Sequence, residues 1–140
     1  MAAHAIETAT RPASSSNDVL ALVGRIAIAV IFILAGTSKI TDPAGTIGYI
    51  ASVGLPFPTL GLIAAILVEI VGSIALIVGY RTRAIALLLA VFSVVTAVLF
   101  HNQLGDQMQF LNFFKNIAIA GGLLNVVALG GGRLSLDARK

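Results

Sequence analysis

Apolar residues run almost unbroken over four stretches of this chain, and the connections between them together with the two end segments hold most of its charges. Residues 19–39 and 60–79 are each about 20 residues long, which at ~1.5 Å rise per residue matches a ~30 Å hydrocarbon core. Residues 84–100 carry no charge. The fourth run, 117–129, is short alone. It reaches spanning length once the apolar residues from 110 onward, with Lys115 and Asn116 among them, are included. The pattern predicts an all-α fold: a four-helix transmembrane bundle.

The connections carry local signals. Asp42-Pro43 has the form of a helix N-cap followed by proline at the first helical position, and Ile47, Ile50 and Ala51 recur at helical spacing. A short interfacial helix between spans one and two is expected there. Gly54 ends it, and Pro56 and Pro58 keep residues 55–59 extended. Residues 81–83 form a tight turn between spans two and three. Residues 1–18 show no apolar period and read as a disordered tail, with Asn17 or Asp18 capping the first helix. The triplet Gly130-Gly131-Gly132 releases a basic tail, giving the organisation tail 1–18, four-span domain 19–130, tail 131–140.

Composition makes a lipid bilayer the first partner, since 58% hydrophobic and 11% charged residues fall outside soluble usage. The net charge of +3 is spread among apolar runs and makes no stripe for a phosphate backbone, so nucleic acid is excluded. With no cysteine there is no disulfide, thiol chemistry or thiolate-bound metal within the chain. His4 lies in the tail, which leaves His101 alone; no metal site and no cofactor held by this chain's own ligands is expected. Arg11, Arg25, Arg81, Arg83, Arg133, Arg139 and Lys140 fall on one side, Lys39 and Lys115 on the other. The positive-inside rule then predicts cytoplasmic termini.

The ionisable residues inside the apolar runs are the candidate chemistry. Phe32, Gly36 and Lys39 lie within roughly 40° of Arg25 around a helix, so the four share a face. Arg25 either snorkels to the nearby boundary or turns inward to an ion pair. Glu69 is mid-span, where a lone carboxylate is penalised by several kcal/mol, so it is paired or protonated. Arg25, whose fork can hold a carboxylate bidentately, is its first expected partner, with Lys39 and Lys115 at other levels. The pair is either a structural register device or a functional carboxylate. Lys39, His101, Lys115 and Asn116 either anchor helix ends at the headgroups or line a pocket for a quinone-like carbonyl or a small anion. Gly36, Gly72, Gly121 and Gly122 are expected to let neighbouring helices approach closely.

Arg25 followed by Ala35-Gly36-Thr37-Ser38-Lys39, then Gly54-Leu55-Pro56, Glu69 with Gly72, Gly79-Tyr80-Arg81-Thr82-Arg83, and Lys115-Asn116 with Gly121-Gly122 together resemble the DoxX family. The resemblance covers residues 22–129. It implies a bacterial inner-membrane protein of four helices, related to the DoxD subunit associated with thiosulfate:quinone oxidoreduction. Some members are linked to membrane oxidoreductase assemblies handling thiol or superoxide stress. The expectation that follows is an accessory or quinone-interacting subunit working with redox partner proteins. A small proton-linked transporter or channel and a non-catalytic scaffold are the alternatives, and a homo-oligomer fits any of the three.

Overall fold

The computed structural model describes residues 15–139. Helix α1 (Ser15–Thr41) is followed by the short α2 (Pro43–Ser52). Next comes α3, which spans Pro58–Val78 and contains a π-helical turn at Leu67–Val71. Helices α4 (Thr82–Phe100) and α5 (Gln107–Leu129) follow, and a 3-10 turn at Leu136–Arg139 closes the described chain. Helices α1, α3, α4 and α5 are each long and apolar enough to cross a membrane. Four spans return the two ends of the chain to one side, here called the terminal face.

Local chemistry sets the boundaries. Asp42 caps α2 as expected, its Oδ1 accepting from the Gly45 N–H at 3.0 Å, and Gly54 leaves that helix at φ +83. The expected extended segment 55–59 is shorter. Pro58 already occupies the first turn of α3, where its missing N–H is no loss, and Phe57 before it adopts φ +52. Asp106 caps α5 through the Gln109 N–H at 3.0 Å, so the fourth span does take in residues ahead of 117.

Both expected tails need correction. Residues 1–14 lie outside the described residues, but 15–18 form the first turn of α1, so Asn17 and Asp18 sit inside the helix rather than at its cap. Asp18 instead accepts from the Arg133 N–H at 3.0 Å. Residues 130–139 fold back on the terminal face, with Ser135 buried and the Asp137 N–H donating to the Gly79 carbonyl at 3.0 Å. Glycines at 130–132 supply the positive φ values (+79 at Gly130, +77 at Gly132) that turn the chain inward.

The core is narrow. Ala29 and Phe32 of α1, Leu76 of α3, Ala86, Leu89 and Ala90 of α4, and Ala120 and Leu123 of α5 meet at its centre. Small residues let α4 and α5 pack closely, while Leu34, Leu60, Leu67 and Leu124 point outward, where lipid is their solvent. Among the predicted packing glycines, a Cβ on Gly36 would lie 2.7 Å from Ile70 Cδ1 and one on Gly72 3.2 Å from Leu89 Cδ2, so both sit at close crossings. Gly122 is in ordinary contact with Ile28. Gly121 is not a packing position: it is exposed with open space beside it, about 100° around the helix from the neighbours that face the bundle.

Candidate functional site

The inward face of α1 brings Lys39 to Glu69. Their Nζ and Oε1 atoms are 2.9 Å apart, and Nζ also lies 3.5 Å from the Ala35 carbonyl of its own helix. Gly36 permits the approach, since it stands directly against Glu69 and Ile70. Glu69 occupies the middle of the π-helical turn, an irregularity often found at functional sites. The Ser73 hydroxyl donates to the Glu69 carbonyl four residues back, holding part of the backbone that the wider turn loosens.

The expected Arg25–Glu69 pair does not form. Arg25, only 1% exposed, donates from Nη1 to the carbonyls of Leu76 and Ile77, each at 2.8 Å, and from Nη2 to that of Leu134 at 2.5 Å. Leu76 and Ile77 are among the last carbonyls of α3, which have no partner within the helix. A guanidinium there satisfies them and complements the negative end of the helix dipole. Side chains lean toward the N-terminus of their own helix. Arg25 therefore leans to the terminal face, while Lys39 leans back into the bundle toward Glu69.

Asp137 performs the matching task across the same turn. Its Oδ1 accepts from the Arg81 N–H at 2.8 Å, and its Oδ2 from the Thr82 N–H and Oγ1, each at 2.7 Å. An anion thus caps the start of α4 while a cation caps the end of α3, and the two charges attract one another. The inward reading of Arg25 holds for its burial, but its role here is to fasten the terminal face.

Glu69 and Lys39 open onto a cavity of about 410 Å³ in the half of the bundle away from the terminal face. Every helix contributes to its wall: Phe32 and Ala35 from α1, Tyr49 and Ile50 from α2, Ala65 from α3, Phe92 and Thr96 from α4, Ile119 from α5. Its polar groups are few. His101 lines it with Nδ1 3.1 Å from Gln109 Oε1, and Asn116 lines it while its Nδ2 donates to the Asn112 carbonyl at 3.2 Å. Helix α2 closes this end, the Tyr49 hydroxyl donating to the Phe100 carbonyl at 2.9 Å with the two rings 5.3 Å apart.

Of the predicted pocket residues, Lys39, His101 and Asn116 come together with Glu69. Lys115 does not, being exposed on the outer surface of α5. Glu69 itself is 4% exposed. Its Oε1 is held by Lys39, whereas Oε2 is buried with no hydrogen-bond partner among the described residues. Sequence reasoning missed Tyr49 and Asp137. Asp137 carried a signal as the sole acid in an otherwise basic stretch; Tyr49 carried none beyond its place on an amphipathic helix.

The DoxX family model matches residues 20–102, a segment that holds Lys39, Glu69 and His101. The chain is 38% identical over 130 residues to inner membrane protein YphA of Escherichia coli K12, covering 89% of this chain and 93% of YphA. It is 42% identical over 121 residues to inner membrane protein YqjF of the same organism, covering 86% of this chain and 92% of YqjF. An uncharacterized protein of Haemophilus influenzae is 36% identical over 108 residues, covering 76% of this chain and 66% of that protein. No solved structure matches.

Proposed function

The chain belongs to the DoxX family, and from that premise we propose that it is a multi-pass inner-membrane subunit whose cavity holds a quinone headgroup for a membrane redox assembly. The observation that carries this reading is the second oxygen of Glu69, a buried acceptor with no donor among the described residues, on a side chain that lines an apolar cavity. A buried acceptor left unmade is destabilising, so a ligand that brings a donor is favoured there. The hydroxyl of a reduced quinone is such a donor. Lys39 has three N–H groups, of which one serves Glu69 and one points to the Ala35 carbonyl, leaving one for the carbonyl of the oxidised form. The volume and the apolar walls suit a single substituted ring, and the membrane supplies such molecules laterally. The chain's own residues bind and orient; electron transfer belongs to the quinone and to a partner protein.

The test is titration of the purified protein in lipid nanodiscs with a short-chain quinone analogue. Wild type binds, Lys39→Ala and Glu69→Gln weaken binding about tenfold or more, and Lys115→Ala leaves it unchanged. Equal binding by all four proteins removes the reading.

The names of the relatives, together with Arg81, Arg83, Arg133 and Arg139 on the terminal face against Lys39 and Lys115 beyond, support an inner-membrane location with cytoplasmic termini. This cysteine-free chain lets single cysteines report on that orientation. A cysteine at Gly105 should react with an impermeant thiol reagent on spheroplasts and one at Ala138 should not; the reverse pattern inverts the topology.

A further inference from the structure

A second concave surface lies at the terminal face, between the α3–α4 turn and the returning segment 130–138, with a volume of about 630 Å³. Arg81 and Arg83 line it beside the backbone of Gly130, Gly131 and Gly132. The Arg83 guanidinium stands over Gly130, where an added Cβ would lie 3.3 Å from Nε and 3.4 Å from Nη2. It has no acidic partner among the described residues. Asp137 is the one acid on this wall, and both its oxygens already accept from Arg81 and Thr82. The wall therefore carries the Arg83 guanidinium and a second arginine, Arg81, whose guanidinium lies 5.9 Å from the centre of the Tyr80 ring, against one engaged carboxylate.

Its position selects among anions. The α3–α4 turn joins two membrane spans, so the groove opens at headgroup level. One wall is Leu129, which is 79% exposed and continues the outward apolar surface of α5. A phosphate bound by Arg81 and Arg83 would thus have a hydrocarbon surface directly below it. We propose that this groove is a binding site for one anionic phospholipid, its phosphate held by Arg83 and Arg81 and an acyl chain lying along Leu129. The arginine fork suits phosphate oxygens, and the unsubstituted glycine backbone leaves room for the headgroup.

Native mass spectrometry of the full chain, released from mixed phosphatidylglycerol and phosphatidylcholine micelles, tests this. Wild type is expected to retain a single phosphatidylglycerol at least tenfold more than phosphatidylcholine. Arg83→Gln should abolish that preference, and Lys115→Gln, which removes the same charge at the far end of the bundle, should keep it. Equal retention of the two lipids by wild type, or an unchanged preference in Arg83→Gln, overturns the proposal. Millimolar inorganic phosphate supplies the second arm. If it displaces the lipid, the groove reads phosphate alone and the lipid assignment falls; if glycerol phosphate and phosphate both fail to compete, the acyl contact is part of the site. This arm needs no variant to fold.

Discussion

Lys39 of α1 and Glu69 of α3 form an ion pair of 2.9 Å in which, among the described residues, one carboxylate oxygen is used and the other has no donor. The pair joins two spans at the level of the cavity, which Glu69 lines, and leaves that second oxygen buried. Its structural and binding roles are separable. Removing one partner of a buried pair costs about 3–5 kcal/mol, whereas replacing both with apolar residues is often close to neutral. Lys39→Met strands Glu69, which is 4% exposed, and should cost about 3 kcal/mol. Glu69→Leu strands a lysine that is 24% exposed, which should bring the loss nearer ~1 kcal/mol. The double variant should regain most of the stability lost in Lys39→Met when unfolding is followed by circular dichroism in detergent. Additive losses would show that the two charges do not act together.

Arg25 and Asp137 hold one turn from opposite sides, so their loss should be felt in the same place. Arg25→Met leaves the Leu76, Ile77 and Leu134 carbonyls without their donor and should lower stability by about 3 kcal/mol or more. Asp137→Asn keeps an acceptor but loses the anion at the start of α4, for about 1 kcal/mol. Limited proteolysis should release the segment after residue 130 in both variants before it does so in wild type. Protection equal to wild type in Arg25→Met would mean the segment is held by something else.

Three glycines should rank by what surrounds them. Gly79 has φ +74, and a Cβ there would meet Ser135 Cβ at 2.2 Å and Arg25 Nη1 at 2.9 Å, so Gly79→Ala should cost about 3 kcal/mol. At Gly36 the nearest atoms belong to the flexible Ile70 side chain, although Glu69 Cβ at 3.2 Å yields less, and Gly36→Ala should cost ~1 kcal/mol. Gly121→Ala meets open space and should be neutral or slightly stabilising. Melting temperatures in any other order would contradict the packing described.

Tyr49 ties α2 over the cavity. Tyr49→Phe removes the bond to the Phe100 carbonyl while keeping the ring contact, so stability should fall by only about 1 kcal/mol. Ligand exchange should speed up by several-fold, which stopped-flow displacement of a quinone analogue would read. Unchanged exchange with unchanged stability would show that α2 is fastened by Ile50 and its apolar neighbours alone.

The spans and the capped helix between them were legible in the sequence because their causes are local. Lipid demands long apolar runs, and Asp42-Pro43 supplies its own cap. The partner of Glu69 was not legible in the same way, because three cations share reachable levels and periodicity does not rank them. The N-terminal lean of helical side chains does rank them, turning Lys39 toward Glu69 and Arg25 away from it. The docked end was missed because three glycines followed by basic residues have the composition of a linker. Its anchors, Asp18, Arg25 and Asp137, are separated from their partners by more than fifty residues and are joined only by the fold. Lys115 shares its helix with Asn116 yet faces outward, a distinction of one residue that hydropathy cannot make.

The most direct measurement is photoaffinity labelling of the wild-type protein in lipid bilayers with an azido-quinone, followed by peptide mapping. Labels on the α1 segment around Phe32 and Lys39 and the α3 segment around Ala65 and Glu69, competed by excess unlabelled quinone, are the predicted result. Labelling confined to outward residues such as Leu34, Leu124 and Lys115, and not competed, would contradict a quinone site inside the bundle.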